Sequence, residues 1–201
     1  MIEADFRQLT DSIRRLTSRA RQTLVAIDGR CGAGKTTLTE KLQAELGGQV
    51  LHMDDFFLRP EQRTESRLAQ PGGNVDYERF LEEVLLPLTR GRAFIYRPYS
   101  CARQQLGTGA AMQAMGLTIV EGSYACHPAL REHYDLRLFL TVTPEEQLRR
   151  IRARSGPEKA DVFVQRWVPL EELYFRACAV AEGADLVLEE LASSLAVQLK
   201  K

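Results

Sequence analysis

The chain has 201 residues, 44% of them apolar, which is enough to bury one core without disulfide or metal staples. Its 27 basic and 27 acidic side chains cancel, which argues against an overall field holding nucleic acid or an anionic membrane. Cys31, Cys101, Cys126 and Cys178 are scattered, with only three histidines beside them, so neither a zinc site nor a disulfide framework is expected.

In chain order, Ile2, Phe6, Leu9, Ile13 and Leu16 recur at helical spacing and predict an amphipathic helix over residues 3–21 whose arginine-rich face is solvated. Residues 1–22 are read as a helix packed on a single domain spanning 23–201. LVAID (24–28) is a short apolar run without alternation, as for a strand covered on both faces. The same signature recurs at 50–54, 117–121, 136–142 and 185–189, and helical patterns fall at 35–46, 77–90, 144–154, 161–182 and 190–200. Alternating strands and helices predict an α/β fold, a parallel five-stranded sheet with helices on both faces. Two stretches interrupt it. Residues 58–76 are polar and Gly/Pro-punctuated, too long for a tight connection. Residues 91–116 carry FIYRPYS, an expected edge strand or hairpin. Both insertions should lie near the carboxyl ends of the strands, where ligands bind in open α/β sheets. The N-terminal stretch lacks the apolar run of a signal peptide, and no run of about 18 apolar residues occurs, so a cytoplasmic protein without a membrane partner is expected.

The strand at 24–28 runs into Gly29, Arg30, Cys31, Gly32, Ala33, Gly34, Lys35, Thr36 and Thr37, which fit Gly, four residues, Gly-Lys-Ser/Thr between a strand and a helix. Glycines in such a loop turn backbone N–H groups around phosphate oxygens, Lys35 reaches the outer phosphates and the Thr36 hydroxyl ligates magnesium. A P-loop NTPase fold binding ATP and Mg2+ follows. Cys31, close to a helix N-terminus, is a candidate reactive thiolate, with small-residue packing as the alternative.

Phosphoryl transfer also needs a carboxylate that accepts the acceptor's proton. Asp54 and Asp55 in HMDDFF, and Glu121 in IVEGSY, end two predicted strands; each could instead cap the next helix.

Together AIDGRCGAGKTT, HMDDFF, NVDYERF, YRPYS, IVEGSY and ADLVLE resemble the uridine kinase and phosphoribulokinase family of phosphate-loop kinases over about residues 22–190, and HMDDFF is similar to nicotinamide riboside kinases. That resemblance implies Asp54 as the general base, Glu121 and Asp54 beside Thr36 at the metal, Asp76 on ribose hydroxyls, and Tyr99 against a nucleobase. Arg150 and Arg154 would close on the phosphates from a small lid at about 149–166, with Arg149 and Arg152 solvated. Arg166 would serve the acceptor, while Trp167 and Pro169 pack their helix. Asp76 could equally be a helix N-cap. After Tyr99, where the family places a second aromatic and a histidine, this chain has Cys101 and Gln104, which puts pyrimidine reading in question.

The expected activity is ATP-dependent phosphoryl transfer to a hydroxyl of a nucleoside, uridine or cytidine by default. Nicotinamide riboside, pantothenate or a sugar-like alcohol is the alternative acceptor, and a non-catalytic ATP-binding regulatory module the alternative class. No Asn-Lys-x-Asp base-reading motif of a guanine-specific GTPase is present. A homo-oligomer is left open.

Overall fold

The unalternated apolar run forms β1 (Gln22–Gly29), with seven of its eight residues buried. The computed structural model describes residues 3–191 and 194–199, with side chains described for 6–189. Ile2 of the predicted helical stripe therefore lies outside the described residues. Helix α1 (Glu3–Thr17) precedes β1, and α2 (Lys35–Leu46) follows it, leading to β2 (Gln49–His52). Helix α3 covers 77–89. Next come four short strands, β3 (Phe94–Tyr96), β4 (Tyr99–Ser100), β5 (Gln105–Leu106) and β6 (Ala110–Met112), then β7 (Gly116–Glu121) and β8 (Leu136–Thr141). Helices α4 (Pro144–Ser155) and α5 (157–177) and strands β9 (Leu186–Leu191) and β10 (Ser194–Leu199) complete the described chain.

The sheet order is β2-β7-β1-β8-β9-β10, and the first five strands run parallel. Because side chains alternate along a strand, Leu24 and Ala26 of β1 enter one core cluster and Val25 and Ile27 the other. The first cluster is closed by Phe80, Val84 and Leu88 of α3 and Tyr174 and Phe175 of α5. The second is closed by Leu9 and Ile13 of α1 and Leu38 and Leu42 of α2. Arg14 of the basic α1 face pairs with Glu45, tying α1 to α2.

The structure corrects the sequence reading at three places. The segment expected as a helix at 190–200 is strand over 194–199, paired antiparallel to β9; Leu195, Val197 and Leu199 alternate with Ser194, Ala196 and Gln198, a period of two that outweighs the helical one. The second strand stops at His52 rather than 54, and Met53–Phe56 turns as a 3-10 helix. The expected helices at 77–90 and 161–182 each contain one π turn, Leu81–Leu85 and Phe163–Trp167. A proline follows each turn by two residues, Pro87 and Pro169. A proline inside a helix lacks the N–H and crowds the carbonyl four residues back, and one extra residue in the turn relieves both.

The 91–116 insertion is a pair of nested antiparallel ladders, β3 with β6 and β4 with β5, separate from the main sheet.

Candidate active site

The residues after β1, β2 and β7 converge because parallel strands deliver their carboxyl ends to one edge. They open on a cleft of about 1190 Å³ lined at one end by Gly32, Gly34, Lys35, Thr36 and Thr37. The loop's form requires its glycines: Gly29, Gly32 and Gly34 sit at φ 138, 77 and 88°, a region L side chains avoid. Lys35 Nζ donates to Gly29 O at 2.7 Å and Arg30 O at 3.1 Å, folded back over its own loop.

Asp28, at the end of β1, anchors this edge. Its carboxylate is fully buried and accepts from the N–H groups of Gly29 (2.7 Å), Tyr124 (3.2 Å) and Cys126 (2.9 Å) and from the Tyr174 hydroxyl (2.8 Å). Burial pushes its carboxyl up to about 6, against the pull of those donors and of Lys35. The folded value thus exceeds the unfolded value near 3.8, and between those pH values the folded chain holds the proton more firmly. Stability is therefore expected to fall by about 3 kcal/mol as pH rises through this window and then to level off. Denaturant melts of wild type and Asp28→Asn from pH 4 to 7 check this, since the variant should lose this share of the slope and keep only that of the other titrating groups.

Asp54 and Asp55 separate sharply. The Tyr96 hydroxyl donates to Asp55 Oδ2 at 2.6 Å, whereas Asp54 makes no hydrogen bond or ion pair among the described residues and lines the cleft. Asp54 is open to solvent through the cleft yet walled by protein, and this burial, with Glu121 beside it, raises its carboxyl above the ordinary range, Lys35 opposing. Glu121 also lines the cleft; one of its oxygens lies 2.7 Å from His52 Nδ1, a contact that raises the imidazole.

The surroundings of Cys31 favour small-residue packing over a thiolate. Burial, then the nearby Glu171 carboxylate, push its thiol up to about 12, and its side chain packs with Ile151 and Ala160. Like the other three cysteines it is free.

Arg150 and Arg154 both line the cleft; Arg150 donates to Glu146 (2.7 Å) and to Gly32 O (3.2 Å), and Arg154 lies over the Phe163 ring. Arg149 pairs with Glu146 on the exposed face, and Arg152 is exposed. Arg166 lines the cleft too, stacked over Trp167, which itself faces the cavity opposite Phe57.

The remaining acceptor-side residues are placed elsewhere. Asp76 is buried as the N-cap of α3, accepting from Arg79 N (3.1 Å) and Gln62 Nε2 (2.8 Å). Tyr99 is buried with its hydroxyl unpartnered, and Gln104 is exposed in the β4–β5 turn at φ 51°. None of the three lines the cleft, whereas Cys101 does. The cleft is also walled by Phe57, Leu58, Leu68, Phe163 and Leu170, with Arg63 and Asn74.

Sequence reasoning passed over Asp28, His52, Arg63, Ser123 and Glu171. Asp28 had a signal, a charged residue closing an otherwise apolar strand.

Thr36, Asp54 and Glu121 share the cleft as oxygen donors, and among the described residues no three His, Cys, Asp or Glu side chains are grouped to hold a metal unaided. That combination fits magnesium, which takes one or two protein oxygens and completes its shell with phosphates and water.

No family model matches the chain. It is 30% identical over 190 aligned positions to the bifunctional pantoate ligase/cytidylate kinase of Parasynechococcus marenigrum (strain WH8102), an alignment covering 81% of this chain and 36% of that protein. The chain thus spans about a third of that relative's length. Among solved structures, a possible uridine kinase from Bacillus stearothermophilus superposes with a TM-score of 0.64 at 18% identity, covering 90% of this chain and 98% of that one. A provisionally assigned fructose transport system kinase from Silicibacter sp. TM1040 gives 0.58 at 23% identity, covering 89% and 98%. The chain shares the fold of these two structures. Among the described residues no helix is long and apolar enough to cross a membrane.

Proposed function

We propose that this fold transfers the terminal phosphoryl group of ATP to a hydroxyl of a small acceptor, a nucleoside or an alcohol of similar size. The observation that carries the reading is the pairing of a glycine-built phosphate loop with a carboxylate in the turn after β2, Asp54, unpartnered among the described residues, in the same cleft. The loop N–H groups and Lys35 hold the triphosphate, Thr36 and Glu121 hold magnesium, and Arg150 and Arg154 cover the phosphates. Magnesium, when bound by Thr36 and Glu121, would supply positive charge to the phosphates. Asp54 takes the proton of the acceptor hydroxyl as its oxygen bonds to the γ-phosphorus, and the bond to the β-phosphate oxygen breaks, its electron pair leaving with ADP. The products are a phosphomonoester, ADP and one proton, later released from Asp54.

A second reading has specific support. Arg63 and Arg166 face the acceptor end without a carboxylate partner among the described residues, and a relative bears the name cytidylate kinase. Both favour an acceptor that already carries an anionic group. Coupled ADP-release assays with uridine, cytidine, cytidine 5′-monophosphate, nicotinamide riboside and pantothenate test both readings. Turnover of a neutral nucleoside supports the first; turnover of the monophosphate alone supports the second. Failure of every acceptor in the presence of demonstrated ATP binding counts against transfer to this class.

A further inference from the structure

A phosphate loop works because its N–H groups point inward with their hydrogens free for phosphate oxygens. Here one is taken. The Cys31 N–H donates to Glu171 Oε2 at 3.0 Å, and the other oxygen of that carboxylate accepts from the Ser123 hydroxyl at 2.6 Å. Ser123 Oγ in turn accepts from Lys35 Nζ at 3.4 Å. Glu171 is buried yet lines the cleft. The next residue, Glu172, grips Arg30 of the same loop through both carboxylate oxygens, at 2.6 and 3.0 Å. Two consecutive glutamates of α5 thus hold the loop, one through its backbone and one through a side chain.

The same helix forms the acceptor wall. Trp167 lies four residues before Glu171, one turn away on one face, and both line the cleft together with Leu170. A triphosphate seated in the loop brings its negative charge up to Glu171. A carboxylate and a phosphate repel each other, and the phosphate competes for Lys35, which closes the chain of contacts through Ser123. Arg30 also donates to Thr141, so the Glu172 grip has a second partner outside the Glu171–Ser123–Lys35 chain.

From this arrangement, and resting on the reading that the loop binds a triphosphate, we infer that Glu171 is a positioning residue. It holds α5 against the empty loop and releases it when the γ-phosphate arrives, so that the wall carrying Arg166 and Trp167 takes its acceptor-binding position only after nucleotide. Glu171 touches no reacting atom; it acts through Ser123, the Cys31 amide and its own helix.

Trp167 is the chain's single tryptophan, so its emission reports this helix alone. The experiment titrates wild type, Glu171→Gln and Ser123→Ala with magnesium and the β,γ-imido analogue of ATP, and with ADP, following Trp167 emission and measuring affinity by calorimetry. In the wild type, emission should change with the analogue and much less with ADP. Glu171→Gln should bind the analogue about threefold tighter or more, because a repelling charge is gone, while losing the emission change and lowering kcat by roughly tenfold through a misplaced acceptor wall. Ser123→Ala keeps the charge, so it should bind no tighter and still lose most of the emission change; it also carries the test if Glu171→Gln does not fold. A glutamate that merely staples the helix predicts the opposite sign, weaker nucleotide binding in Glu171→Gln. Unchanged or weaker binding, or an emission response equal to that of the wild type, overturns the inference. Wild type that binds no nucleotide by calorimetry overturns the phosphate-site reading and the inference with it, a result distinct from binding without an emission change.

Discussion

Replacing Asp54 with asparagine is expected to lower phosphoryl transfer by about 100-fold or more while leaving ATP affinity within a few-fold of wild type. The two outcomes separate because Asp54 makes no hydrogen bond or ion pair that folding depends on among the described residues. Asparagine has nearly the same shape but cannot accept the hydroxyl proton. Asp55 provides the internal control. Its carboxylate accepts from Tyr96 and its carbonyl from Arg79, so Asp55→Asn should disturb the 53–57 turn and stability more than the chemical step. Single-turnover transfer, paired with calorimetric ATP titration, tests both. Transfer unchanged in Asp54→Asn would remove that residue from the mechanism and leave the cleft without an assigned base.

Gly29→Ala should be far more damaging than Gly32→Ala in the same loop. A Cβ at Gly29 would lie 2.0 Å from Leu140 O and 2.6 Å from Leu140 N, backbone atoms of β8 that cannot step aside without breaking the β1–β8 pairing. The φ of 138° adds strain that only glycine escapes. A loss of more than about 4 kcal/mol is expected, enough to unfold a marginally stable domain. Gly32→Ala is the contrast within the same loop. Its nearest neighbour to a Cβ, Gln147 O, is 3.5 Å away, so only the cost of φ 77° remains, about 1 to 3 kcal/mol. Urea melts of the two variants side by side decide the matter; equal losses would mean that conformation, not contact with β8, sets the need for Gly29.

Much of the frame was legible because it follows from local rules. The phosphate loop is bounded by a strand and a helix in sequence as in space, and α2 starts at Lys35 as the pattern requires. The five parallel strands announced themselves as apolar runs. The acceptor side was not legible, for reasons specific to each residue. Asp76 has a backbone N–H three residues ahead that its carboxylate can cap, and a motif match does not reveal which partner prevails. Gln104 is turned outward by a left-handed turn residue inside a two-strand ladder too short to leave a periodic trace. Sequence alone favours packing for Trp167, yet the π turn ahead of Pro169 carries it and Arg166 on the wall of the cleft. Glu171 meets the loop across 140 residues of chain, a contact that no local pattern encodes.

Asp28 also bears on how the protein is made. Its partners Tyr124, Cys126 and Tyr174 lie 96, 98 and 146 residues further along the chain. During synthesis the charged end of β1 therefore emerges with only the Gly29 N–H beside it, long before its three distant partners. Loop closures of that span come late in folding. On the proposed function, a nucleotide would then meet a formed site only after Tyr174 has joined it, and its binding would add to the stability of that fold.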